Sequence, residues 1–488
     1  MQYFEKIEQE EFSVAIPEAI NAEFTSHLLR KDKQEDAVFA LYKPSHGQSR
    51  FTGCIYQIIL PNDGDREVHG NVTINPQYFR RACQLAILEN SGVVLLHSHL
   101  GPGWQAMSKD DIETEHSFSS ACITLTDLPL IGLTLGTDGT WSARAWEYRE
   151  EMYQHKWAST VRVVGKRLNV SYYDILRPQP QYRNIYKRTM SVWGKENHGK
   201  LARLRIGIIG LGSVGSVVAE SLARMGMERF VLIDFDEVQE HNLDRLLGAT
   251  QQDLGSLKVN VAQRQIQAAA TAAEIEIEAS SCGITEEQGY KKALDCDLLF
   301  SCVDRPWPRY VLNHLAYNHL IPVIDGGINV RFVQGTTDFE GADWQLQSVG
   351  PQRPCLECLG VYNSSDVQVE RDGKLDDPSY LSGLPDDHRF KRNENIFPFS
   401  TNLASLEIMQ FIEQVTGIGN TDYYGTQRYS YNHGYIRLNP DAVCQDGCYF
   451  QNGIGLADSQ FPAPYGHDHS AELARARQHI STSIENHC

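Results

Sequence analysis

The stretch LRIGIIGLGSVGSVVAE, residues 204–220, constrains the fold more than any other. An apolar run stops at Gly210, Gly212 and Gly215, and a helical pattern follows at once. Strand, tight turn and helix read in that order, and the glycines allow close backbone approach at a helix N-terminus that attracts phosphate. Downstream, RFVLIDFD (229–236), CDLLFSCVD (296–304) and LIPVIDGG (320–327) alternate with helical segments. Such alternation predicts a largely parallel sheet covered by helices, a Rossmann-like α/β architecture.

Before residue 160 the pattern differs. AVFALYK, CIYQIIL, GVVLLHSH and LIGLTLG read as strands separated by polar turns, and PQYFRRACQLAILENSG carries an apolar face at helical spacing. The proline-bearing DILRPQPQYRN, 174–184, reads as a linker. The expected organisation is a mixed α/β domain over 1–160, a linker and leading helix over 161–200, a Rossmann-like α/β domain over 201–450, and a tail over 451–488.

Composition narrows the partners. At 488 residues the chain has room for roughly three domains of about 150 residues each. A formal net charge of −18 disfavours nucleic acid and anionic membrane, which demand clustered Lys and Arg. The first residues lack a signal-like charge and apolar run, and no apolar stretch approaches the roughly 20 residues of a membrane span. With 11 cysteines, an odd number, the expected setting is a reducing cytoplasm.

Two clusters carry chemistry. In HSHLGPGWQAMSKDD, residues 97–111, His97 and His99 share one face of an extended chain, and Asp111 can return to it from the start of a helix. Two imidazoles and a carboxylate form a three-ligand zinc set that leaves a fourth position for water. Ser108 can donate a hydrogen bond to an oxyanion. The pattern His-x-His then Ser-x-x-Asp resembles the JAMM (MPN/Mov34) metalloprotease signature, here with eight residues, 100–107, between His99 and Ser108. The resemblance implies a glutamate base from an earlier strand, carried over to Glu35, with Glu67 as competitor. It further implies cleavage of peptide or isopeptide bonds after a ubiquitin-like C-terminus.

The second cluster begins at the glycine-rich turn. Asp234, with Asp236 close by, lies at the spacing of a ribose-binding acid. Alone this suits NAD as readily as ATP. Asn242, Arg245, Lys258, Asp304 and Arg309 follow in order after the strands. An adenylating enzyme needs such cations at the α-phosphate and an aspartate for Mg²⁺. Over roughly 180–450 the set resembles the ThiF/MoeB superfamily, the fold of ubiquitin-activating enzymes. The resemblance implies that Asp234 binds ribose, that Asp304 holds magnesium, and that Arg188 in YKRTMSVWG reaches the nucleotide site of a partner subunit, hence a homodimer.

Cys355, Cys358, Cys444 and Cys448 have the spacing of a structural Cys₄ zinc site, with two residues in the first gap and three in the second. Residues 359–443 contain no cysteine, although the resemblance leads one to expect a thioester-forming cysteine there. Cys302 or Cys488 could replace it, or an oxyester on Ser364, Ser365, Ser379, Ser382 or Ser400. Direct transfer of the adenylate to a partner ranks above these, because a thiol is the better nucleophile at neutral pH.

The whole chain therefore resembles bacterial JAMM–ThiF fusions associated with ubiquitin-like conjugation, some of them in antiphage defence. That implies ATP, Mg²⁺ and two zinc ions as cofactors, a small β-grasp protein as partner, and a conjugating enzyme downstream. The rival expectation is activation of a ThiS- or MoaD-like sulfur carrier, with the hydrolase releasing product. A non-catalytic scaffold is the third. His467 and His469 in the tail read as solvated residues, and Trp141 and Trp146 as core aromatics.

Overall fold

The computed structural model describes residues 11–333, 336, 338–384, 394–419 and 425–460. Cys488, His467 and His469 lie outside the described residues. The chain divides into two compact units.

The first unit is built on a nine-stranded mixed sheet. Its strands are β1 (Glu11–Pro17), β2 (Ala37–His46), β3 (Arg50–Ile59), β6 (Gly92–Ser98), β7 (Leu130–Leu135), β8 (Trp141–Arg149), β9 (Met152–Trp157), β10 (Thr160–Val164) and β11 (Leu168–Tyr172). A small hairpin, β4 (Arg66–Val68) and β5 (Val72–Ile74), stands apart. The order across the sheet is β11-β10-β1-β3-β2-β6-β7-β8-β9. Both faces are buried. Val38, Ala40, Val94 and Leu96 join one core cluster, whereas Phe39, Leu41, Val93 and Leu95 join the other. That alternation is the period of a strand, and it fixes where the next odd-numbered residues go. His97 continues the face of Val93 and Leu95, against which the helices Pro76–Leu88 and Lys109–Thr126 pack.

The expected boundary at residue 160 is corrected. β10 pairs in parallel with β1, and β11 closes on β10, so the first unit runs on to Gln179. The ladder partners of β10 on β1 lie far away in sequence, which short-range pattern does not reveal. Segments 317–320 and 451–460 also group with the first unit, so the expected tail begins inside a folded unit. Trp141 and Trp146 are both core residues, on opposite faces.

The second unit holds an eight-stranded sheet in the order β14-β13-β12-β15-β16-β17-β18-β19. These are β12 (Arg205–Ile209), β13 (Arg229–Ile233), β14 (Glu276–Ser280), β15 (Leu298–Ser301), β16 (Val323–Phe332), β17 (Phe339–Val349), β18 (Thr426–Ser430) and β19 (Tyr435–Asn439). The first five pair in parallel, and β16 to β19 add three antiparallel pairs. The expected parallel sheet is therefore its first half. From β12 the chain moves one way to β13 and β14, then returns to the other side for β15. That reversal is the topological switch point at which α/β sheets bind ligands. The helix Ser213–Arg224 opens directly from β12 at Gly212.

The leading helix Lys187–Ala202 is broken at Gly194, where φ is 79°. No helix among the described residues is long and apolar enough to cross a membrane.

Candidate functional site

In the first unit, His97 Nε2 lies 3.2 Å from Asp111 Oδ1, and His99 Nε2 lies 3.2 Å from Asp111 Oδ2. The two imidazole nitrogens are themselves 3.2 Å apart. One ligand atom from each residue falls within 4.8 Å of the others. The donor set, two imidazoles and a carboxylate on a half-buried face, fits zinc. The Asp111 beside His99 raises its pKa. Burial works against the Asp111 carboxylate, yet hydrogen bonds from His97 and His99 hold it below the usual carboxylate range.

Local sequence explains the convergence. Ser108 is the N-cap of Lys109–Thr126: its Oγ accepts from the Asp111 N–H at 3.1 Å, and the Asp111 carboxylate accepts from the Ser108 N–H at 2.7 Å. This capping box holds Asp111 in the first turn with its carboxylate turned back toward β6. The expected oxyanion role of Ser108 thus meets a structural one, since its oxygen already serves the helix end. Ala37 pairs with His97, and the Ser98 N–H donates to the Asp36 carbonyl at 3.1 Å, so Glu35 stands at the strand end facing His99. Its charge acts on His99. Glu67 sits exposed in the β4–β5 hairpin.

A network that composition and spacing did not reveal lies beneath His97. Thr134 Oγ1 is 3.2 Å from His97 Nε2 and accepts from Arg144 Nη1. Arg144 pairs with Glu115, and both side chains are 0–1% exposed. Trp146 Nε1 donates to Glu115 at 2.7 Å. Gly132 leaves the space, because a Cβ there would stand 2.3 Å from Glu115. An arginine between alanines in WSARAW was the one available signal.

In the second unit, a pocket of about 940 Å³ opens at the carboxyl ends of β12, β13 and β15. Gly210, Gly212, Asp234, Asp236, Asn242, Arg245, Lys258, Asp304 and Arg309 all line it. Gly210 has φ 89° and abuts the Cys302 carbonyl; a Cβ on Gly215 would stand 2.0 Å from the Gly210 carbonyl oxygen. Gly215 thus packs the helix against the turn. Gly212 differs: its backbone is ordinary and a Cβ would meet nothing within 4 Å. Its missing side chain leaves room on the pocket side, as a phosphate seat requires.

Asp234 accepts from the Leu211 N–H at 2.6 Å and the Asp236 N–H at 2.8 Å, tying the second strand to the glycine-rich turn. Burial pushes its carboxyl up to about 6, against the pull of Lys258 and with the help of Asp236. Lys258 Nζ donates to Asp236 at 2.7 Å. Burial opposes its charge, but Asp234, Asp236 and Asp304 together raise its pKa. Asp304 is exposed at the rim. Arg245 donates to the His241 carbonyl at 2.6 Å and to Asp244 at 2.9 Å, and Asn242 Oδ1 accepts from the Gln239 N–H at 3.0 Å.

One expectation changes. Arg309 is no free cation for phosphate: Nε donates to Asp325 at 3.2 Å and Nη2 to the Gly326 carbonyl at 3.0 Å. Asp325 is fully buried and also receives Ser301 and Gln347. Arg188 is exposed and does not line the pocket of its own chain.

The cysteine sulfurs of Cys355, Cys358, Cys444 and Cys448 fall within 4.8 Å of one another. Backbone N–H groups of Cys355, Cys358 and Gln445 donate to three of them at 3.1–3.5 Å. Four sulfurs with such donors suit a tetrahedral thiolate zinc site. Cys302 lines the pocket, and burial with Glu407 and Asp325 nearby pushes its thiol well up. Each candidate serine is locally engaged: Ser364 with Glu357, Ser365 with Asn363, Ser379 with Asp377, Ser382 with the Ser379 carbonyl, and Ser400 with Asn395.

The model for the ThiF family matches residues 186–437, more than half of the chain. The chain belongs to the ThiF family. The chain is 30% identical over 211 residues to ubiquitin-like modifier-activating enzyme 5 of Xenopus laevis, covering 39% of this chain and 50% of that protein. The Drosophila mojavensis protein of the same name is 25% identical over 205 residues, covering 40% and 50%. The SAMP-activating enzyme E1 of Haloferax volcanii is 25% identical over 166 residues, covering 34% and 57%. The chain thus spans about half the length of the curated relatives it matches. The crystal structure of E. coli MccB with ATP superposes with a TM-score of 0.42 at 18% identity, over 55% of this chain and 74% of that one.

Proposed function

We propose that the ThiF unit adenylates the C-terminal carboxylate of a small ubiquitin-like protein, and that the first unit is a JAMM-type zinc peptidase acting at the same terminus. The observation that carries the reading is the pocket at the switch point, where Gly212 leaves room for phosphate and Lys258 stands among Asp234, Asp236 and Asp304. The names of the relatives supply the substrate class.

In the adenylation, a carboxylate oxygen of the partner attacks the α-phosphorus of ATP. The bond to the bridging oxygen breaks, and pyrophosphate leaves with its electron pair. Lys258 and Arg245 supply the cations that offset charge on the phosphates. Asp234 orients the ribose, and Asp304 would hold Mg²⁺, which supplies charge neutralisation when bound. Arg309 acts from behind by holding Asp325 and Gly326 in place. Arg188 serves the partner's pocket in a homodimer.

The two thiols that line the pocket, Cys282 and Cys302, are both pushed up by burial, which supports transfer of the adenylate to an external acceptor such as a conjugating enzyme. In the first unit, His97, His99 and Asp111 would hold zinc, which supplies Lewis acidity to hydrolysis when bound. Glu35 moves the proton to the leaving amine. The Cys₄ set would hold a structural zinc. The setting of both reactions is the cytoplasm.

The test is ATP–pyrophosphate exchange with the small β-grasp protein that co-purifies with the chain. Asp304→Ala should abolish exchange and spare cleavage of a C-terminal extension on that protein, and His97→Ala should do the reverse. Loss of both activities from either change in folded protein would sink the two-site reading. Exchange only with a carrier that ends as a thiocarboxylate would move the reading to sulfur transfer.

A further inference from the structure

The loop that presents Asp304 is short, and each end of it is held by something different. Its entry is fixed by the sheet: the Cys302 N–H donates to the Ile209 carbonyl at 2.8 Å. Its exit is fixed from outside the sheet. Glu370, in the helix Ser364–Arg371, is 1% exposed and accepts from the Trp307 N–H at 2.8 Å. That N–H belongs to the first turn of the helix Pro306–Asn318, where no intrahelical acceptor exists. Arg305 lies 2.9 Å from Asp376 and 3.9 Å from Glu370. The Arg371 guanidinium stands 6.0 Å over the Trp307 ring. Thus the residues on the C-terminal side of Asp304 lean on one short segment, Ser364–Asp376, that lies between the two cysteine pairs.

We infer that Glu370 is a positioning residue for the nucleotide site, so that nucleotide affinity and the order of segment 364–376 are thermodynamically linked. The inference rests on the proposal that the pocket binds ATP with Mg²⁺ at Asp304. Asp304 itself is exposed, so its place follows from its backbone neighbours. Removing the Glu370 carboxylate leaves the Trp307 N–H buried without this acceptor and Arg305 with a weaker anchor. The loop then samples positions in which Asp304 points elsewhere. Linkage is reciprocal, so a nucleotide that selects the held loop must also steady the segment that holds it. In this way the stretch between the cysteine pairs senses whether the pocket is filled, without contributing a nucleophile.

The experiment is calorimetric titration of the full-length protein with ATP, with and without Mg²⁺, alongside amide exchange of peptides covering 364–384. Glu370→Ala should weaken Mg·ATP binding about tenfold, the effect of losing one buried acceptor. Binding of ATP without Mg²⁺ should change less than twofold. Glu370→Gln keeps a carbonyl oxygen for the Trp307 N–H and should restore most of the affinity, while a general folding defect would lower the melting temperature and both affinities together. In the wild type, Mg·ATP should slow exchange over 364–376, and in Glu370→Ala that protection should vanish. A wild type that binds no ATP overturns the nucleotide reading and this inference with it. A wild type that binds, with Glu370→Ala indistinguishable from it, overturns the inference alone.

Discussion

Lys258 Nζ and Asp236 Oδ2 are 2.7 Å apart at the mouth of the pocket, with Asp234 buried directly behind them. The ammonium is thus held in place before any nucleotide arrives, and it offsets part of the cost of burying Asp234. The offset is incomplete, since the Asp234 carboxyl stays near 6.

A pH dependence follows. The folded-state pKa of about 6 lies above the value of about 3.9 for an unfolded Asp, so the folded chain binds the extra proton between them. The contribution of Asp234 to stability is therefore present below about pH 4 and is lost as pH rises through 6. Asp234→Asn should remove that loss. Melting curves from pH 4 to 7 should show the variant gaining on the wild type as pH rises. A constant difference would contradict the assignment.

Two glycines separate packing from ligand space. Gly215→Ala drives a Cβ to 2.0 Å from the Gly210 carbonyl oxygen, so it should lower the melting temperature and abolish ATP binding. Gly212→Ala meets no protein atom within 4 Å and has an ordinary backbone. It should melt within about 2 °C of wild type, since a surface change of this kind is worth at most about 0.5 kcal/mol. ATP binding should nonetheless fall at least tenfold, as calorimetry would report.

The buried pair under His97 predicts a non-additive cycle. Arg144→Met leaves Glu115 buried without its guanidinium partner and should destabilise the first unit by about 3–5 kcal/mol. Removing both charges, as Glu115→Leu with Arg144→Met, should recover most of that loss. Thermal unfolding of the four proteins measures the coupling. Additive losses would mean that the two side chains are uncoupled and would contradict the non-additive prediction.

Metal analysis should return two zinc ions per chain. His97→Ala should lose one with little change in melting temperature, because the first sheet is packed on both faces without it. Cys355→Ser should lose the other and lower the melting of the ThiF unit, since the four sulfurs join segments 355–358 and 444–448. Two zinc ions retained in either variant would refute the assignment of that site.

Much of the site was legible because its residues stand at strand ends and helix starts, where short-range pattern is strong. The turn at Gly210–Gly215, the acid after β13 and the His-x-His at the end of β6 are each fixed by a period of two or by a chain reversal. Ser108 and Asp111 were legible for a second reason, because their spacing is also that of a capping box. Arg309 misled: a cation after a strand looks free until the strand beside it is known to carry Asp325.

The sequence by itself determined the α/β alternation and marked out two sets of candidate ligating side chains, since these follow from local pattern, while the ThiF family was legible as a resemblance of its motifs. Only the tertiary structure decided that β10 and β11 complete the first sheet, that Arg144 and Glu115 pair beneath His97, and that Glu370 holds the loop of Asp304. Each of these joins residues tens or more than a hundred positions apart. Such partners are chosen by which buried polar groups can satisfy one another in three dimensions, and no local period records that choice.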